Sequence, residues 1–77
     1  MNPFEMLMLA ADMTAELIGG YALLVVPSGD IRLIHVPTET VVAEYVYNQR
    51  QLPIDEIFAD LTRHNLTQVM GVTPSSL

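Results

Sequence analysis

YALLVVPSGDIRLIHV, residues 21–36, is the stretch whose reading decides the fold. Tyr21 to Val26 and Ile31 to Val36 are rich in β-branched and aromatic residues, and Pro27-Ser28-Gly29-Asp30 between them are turn formers. The spacing predicts a β-hairpin. Its first strand is apolar on both faces, which marks a central strand or one whose second face is covered from outside the chain. The second strand alternates, with Ile31, Leu33 and His35 on one face and Arg32, Ile34 and Val36 on the other. Pro37 ends it.

Working outward, Val41 to Tyr47 admits two readings. Alternation groups Val41, Ala43, Tyr45 and Tyr47 as a third strand. Val41, Val42, Tyr45 and Val46 also suit a helix capped by Thr38 or Thr40. The β-branched and aromatic content favours the strand. Beyond it, Pro53 opens a helix with Asp55 and Glu56 in the first turn and Arg63 and His64 in the last, the order a helix dipole prefers. Ile54, Ile57, Phe58 and Leu61 form its expected buried stripe, with Phe58 at the centre. Asn65 is the expected stop, with Leu66 folding back on the last turn.

Before the hairpin, Asn2, Pro3 and Glu5 make a helix start of capping-box type. Gly19-Gly20 is the expected stop. Between these signals Glu5, Asp12 and Glu16 share a narrow polar stripe, and nearly all else is apolar. That apolar arc is about twice the ~100° a surface helix needs. The expected class is therefore α+β: one domain over residues 1–77, in the order α-β-β-β-α. It is a three-stranded antiparallel meander with both helices on one face, and residues 66–77 form a loosely ordered tail.

Composition narrows the function. Hydrophobic residues make up 51% of 77, too much for so small a domain to hide alone. The mean hydropathy is +0.36. The apolar runs Met6 to Ala11 and Tyr21 to Pro27 fall short of the ~18 residues that span a bilayer. No Lys or Arg precedes Arg32, so the basic start of a secretory signal is missing. No membrane association is expected, and a partner is the remaining outlet. Self-association is its simplest form. There is no cysteine, which excludes disulfides and thiolate metal sites and fits the reducing cytoplasm. Nine acids against three arginines give a net charge of −6, which disfavours phosphate backbones and favours a basic protein surface.

The candidate partner surface is the methionine-rich first helix, through Met6, Met8, Leu9 and Met13, because flexible thioethers suit adaptable contacts. Leu9 and Met13 flank the polar stripe on one side and Met8 on the other. Glu56, Asp60 and His64 lie four apart on the second helix. Without further ligands they read as a solvated face with an Asp60–His64 pair and not as a metal site. His35 and Glu44 on neighbouring strands would suit an acid–base pair. No nucleophile motif or phosphate loop accompanies them, so His35 is expected to pack at a sheet edge. No cofactor and no catalytic residue is expected. The resulting expectation is a non-enzymatic protein-binding module: a small acidic inhibitor, adaptor or regulatory accessory that acts as a homodimer on a basic protein.

Leu66-Thr67-Gln68-Val69-Met70-Gly71-Val72-Thr73-Pro74-Ser75-Ser76-Leu77 resembles half of a helix-turn-helix. Gly71 would be the turn glycine, with Val72 and Leu77 its apolar positions. Thr73 to Ser76 resembles the start of a recognition helix. The resemblance implies a transcriptional regulator, or its remnant, that binds DNA through this segment. Thr67 departs from the alanine usual in the family, and the segment carries no Arg or Lys for phosphate.

Overall fold

The computed structural model describes residues 2–46 and 52–70. The element order is α1 (Pro3–Ala10), β1 (Met13–Glu16), β2 (Tyr21–Val25), β3 (Ile31–His35), β4 (Thr40–Tyr45) and α2 (Ile54–Met70), with a 3₁₀ turn at Ile18–Gly20. The four strands make one antiparallel meander in the order β1-β2-β3-β4. The α+β class stands, but the sheet has four strands and not three.

The extra strand comes from the expected first helix. The Asn2 side chain caps α1 by accepting from the Glu5 N–H at 2.7 Å. The helix nevertheless ends at Ala10, where Ala11 turns extended. Met13–Glu16 then pairs with Val25–Ala22. The physical reason lies in β2, whose backbone groups would be bare on one side if residues 13–16 stayed helical. With β1 on one flank and β3 on the other, β2 is central, as its two apolar faces require. Glu5, Asp12 and Glu16 consequently share no stripe: they lie on α1, in the bend after it and on β1.

Gly19 and Gly20 turn the chain between β1 and β2 with φ of +74° and +84°. A side chain at Gly20 would also meet Pro37, 2.8 Å from its Cγ. In the β2–β3 turn, Val26 donates to Asp30 and Gly29 donates back to Val26. The ambiguous 41–47 segment resolves as a strand over Thr40–Tyr45, pairing Arg32 with Glu44 and Ile31 with Tyr45. A bulge between Leu33 and Ile34 leaves Val42 without an opposite residue. Tyr47 lies outside the described residues.

The helices pack on opposite faces, which corrects the one-face expectation. On one face, Tyr21, Ile31, Leu33 and Tyr45 bury Ile57 of α2, with Leu61 alongside. On the other, Ala22, Leu24 and Ile34 are covered by Phe4, Leu7, Met8 and Ala11. The alternation of β2 feeds both cores: Tyr21, Leu23 and Val25 point one way, Ala22 and Leu24 the other. α2 also runs on through Asn65 and Leu66 to Met70. Thr67 Oγ1 bonds the Arg63 carbonyl at 3.1 Å within that continuation. Leu66–Met70 is thus helix and not loose tail, while residues 71–77, with most of the helix-turn-helix-like segment, lie outside the described residues.

Candidate functional site

α2 covers only part of its sheet face. Ile57 and Leu61 seat it over the centre of the sheet, and two hydrogen bonds fix it there. Tyr45 Oη donates to Asp60 Oδ2 at 2.6 Å, and the Tyr21 hydroxyl lies 2.9 Å from His64 Nδ1. On the β1 side the face stays open. An apolar groove of about 490 Å³ results, floored by Leu17 and Leu23 and walled by Ile54 and Phe58 of α2 and by Ile18 of the turn. Among the described residues Glu16 is the one charged residue at its lining, although its pairing with Ala22 turns the side chain to the other face of the sheet.

The exposures show how incomplete the packing is: Ile18 is 85% exposed, Phe58 68% and Ile54 63%. Phe58 is therefore no core residue, contrary to expectation. Ile54 and Phe58 stand one row around the helix from Ile57 and Leu61, and a four-stranded sheet under one helix buries only one of these rows. Asp55 and Glu56 are exposed on the same helical turn. The groove thus offers a continuous apolar area, with Asp55 exposed on the neighbouring flank of α2.

The four expected partner residues do not form one surface. Met6 and Leu9 are exposed on α1 at 58% and 71%. Met8 packs inward against Ala22, Leu24 and Ile34. Met13 is exposed but sits on β1 opposite Val25, which puts its side chain on the α2 face, across the sheet from α1. The groove residues escaped notice because Ile54 and Phe58 read as core and Ile18 as the end of a helix. The signal that pointed to them was the apolar excess of the whole chain.

The histidines meet unexpectedly. His35 and Glu44 project from opposite faces of the sheet, and Glu44 pairs with Arg32 at 3.1 Å. His35 faces α2 instead, where its ring centroid lies 5.1 Å from that of His64 and 4.6 Å from that of Tyr21. His35 Nδ1 is 2.7 Å from Thr38 Oγ1. Burial and the neighbouring His35 hold the His64 pKa below the ordinary histidine range, and its Nδ1 shares a hydrogen bond with the Tyr21 hydroxyl. Burial pushes the Tyr21 phenol up, and burial with the Asp60 hydrogen bond does the same for Tyr45. Both phenols stay protonated, and Tyr45 is the donor to Asp60.

Asp60 and His64 are therefore not a solvated pair. Each turns towards the sheet and binds a tyrosine, and Asp60 also accepts from Arg63 at 3.0 Å. Their directions diverge, and the described residues contain no cluster of three groups able to hold a metal. The arrangement works as a clamp of helix to sheet. No helix among the described residues is long and apolar enough to cross a membrane. No protein-family model matches the chain, and no curated protein or solved structure matches it either.

Proposed function

We propose that this chain is a non-enzymatic protein-binding module, a small acidic inhibitor, adaptor or regulatory accessory that works as a homodimer in the cytoplasm on a basic protein partner. The observation that carries this reading is the groove, where three large apolar side chains stand more than 60% exposed beside one another. A contiguous apolar patch rimmed by polar residues is the usual mark of a protein contact. A net charge of −6, with Asp55 exposed beside Ile54 on α2, favours a partner whose apolar anchor is flanked by Lys or Arg. Nucleic acid is a poor fit: the net charge is −6, and Arg32 and Arg63 each already pair with a carboxylate.

Affinity capture from the native host tests the reading. The wild-type chain should retain a basic protein in a salt-sensitive manner, and Phe58→Asp should lose it while keeping a native circular dichroism spectrum. Loss of a hot-spot aromatic typically weakens binding by ~2 kcal/mol or more, about thirtyfold. Equal capture by wild type and Phe58→Asp would remove the groove from the account.

A further inference from the structure

We infer that two copies of the chain join through their β1 strands, edge to edge and antiparallel, to form a continuous eight-stranded sheet. The inference rests on the homodimer reading above and specifies its surface. A strand at the edge of a sheet presents unpaired N–H and C=O groups, and folded proteins usually blunt such edges with a bulge, a proline or inward charge. β4 is blunted by its bulge. From Met13 to Glu16 β1 pairs with β2 in unbroken register, contains neither Pro nor Lys and is exposed along its whole length, and the irregular bond from the Asp12 N–H to the Val25 carbonyl lies before it.

The chemistry of β1 selects one partner and one register. The Leu17 N–H donates to the Tyr21 carbonyl, so the odd-numbered residues from Met13 to Leu17 bond to β2, while the Asp12 N–H also turns inward to the Val25 carbonyl. The backbone groups of Thr14 and Glu16 therefore point outward and are available for a second strand. Met13 and Ala15 share the α2 face with Leu17, while Thr14 and Glu16 lie on the α1 face, as their partners Val25, Leu23, Leu24 and Ala22 dictate.

Consider a two-fold axis through Ala15. Thr14 then lies opposite Glu16 of the second copy, and Glu16 opposite its Thr14, exchanging four backbone hydrogen bonds. On the α1 face each threonine hydroxyl meets a carboxylate. On the α2 face Met13 meets Leu17, Ala15 meets Ala15, and Leu17 meets Met13. Every facing pair is compatible.

Sliding the second copy by two residues in one direction sets Glu16 against Glu16; in the other it asks Asp12, whose N–H is already bound to the Val25 carbonyl, to pair with Glu16. Like charges directly opposite are destabilising. A slide by one residue turns apolar side chains against polar ones. The strand thus complements itself in a single register, and a second copy is the occupant that fits it. The two apolar grooves, each starting at Leu17 and Ile18, then adjoin across the axis and form one trough for the partner.

Cysteine cross-linking tests this in a chain that has no native cysteine. Ala15 would face itself in a non-hydrogen-bonded pair, with Cα atoms about 4.5 Å apart. That separation lies within the range a disulfide bridges. Under mild oxidation most of Ala15→Cys should run as a covalent dimer on a non-reducing gel. Glu16→Cys, whose two copies would lie beyond ~7 Å, should stay monomeric on that gel. Ala15→Lys sets two ammonium groups opposite one another and should halve the mass seen by light scattering with the fold retained. If the wild type is a dimer but Ala15→Cys fails to cross-link, or Ala15→Lys remains dimeric, the β1 interface is wrong and the homodimer reading survives. A monomeric wild type overturns both.

Discussion

Ile57→Asp should leave the chain unfolded at 25 °C, whereas Phe58→Asp, one residue along the same helix, should keep its fold. Ile57 is 6% exposed and wedged among Tyr21, Ile31, Leu33 and Tyr45. A carboxylate there would have no hydrogen-bonding partner, and an unpaired buried charge costs several kcal/mol after relaxation. Losing the isoleucine removes about 2–5 kcal/mol more. A domain of this length holds only roughly 4–12 kcal/mol in total. At Phe58 the new carboxylate points into water, and an exposed substitution of this kind costs about 0.5 kcal/mol. Circular dichroism with thermal melting separates the two. Similar melting curves for both variants would mean that α2 is rotated about its axis relative to the structure described above.

The second large effect is expected at Leu24→Ala, which should cost about 2–5 kcal/mol and lower the melting temperature by more than ~10 °C. Leu24 is fully buried, although the helix covering it has only eight residues and none of them is itself fully buried. Phe4, Leu7 and Met8 must close this face with the sheet. Urea unfolding with an unchanged slope would read the loss directly. Leu9→Ala, at an exposed position on the same helix, should change stability by less than ~0.5 kcal/mol. A loss below about 1 kcal/mol at Leu24 would show that α1 does not seal the sheet and that the fold is a one-sided layer.

How much of this the sequence disclosed depends on the range of the deciding interactions. The hairpin at 21–36 and the cap at Asn2 are local, set by turn formers, alternation and one side chain three residues from its partner. They were legible residue by residue. So was the central position of β2, because both its faces are apolar. What supplies its second neighbour was not legible. Met-Thr-Ala-Glu at 13–16 has no strand signature of its own, and it becomes a strand because the open edge of β2 requires one. Gly19 and Gly20 serve equally as a helix stop and as a turn between strands, so their positive φ did not discriminate.

The candidate site was legible only as a quantity. An apolar fraction of 51% in a chain this short implied exposed apolar surface, but not where. The methionines of α1 were the natural choice from composition. The actual groove depends on which row of α2 meets the sheet, and that is settled by Tyr21–His64 and Tyr45–Asp60, contacts spanning 43 and 15 residues. His35 was correctly placed on the face of Ile31 and Leu33. Its neighbour across the core proved to be a histidine on α2 and not a glutamate on the adjacent strand.

Light scattering coupled to size exclusion, on the wild-type chain at micromolar concentration, tests the central claim of a self-associating binding module most directly. The account expects a mass of twice 8.5 kDa, unchanged between low and moderate salt because the interface is formed by backbone and apolar groups. A single species at 8.5 kDa that persists to high concentration would contradict it.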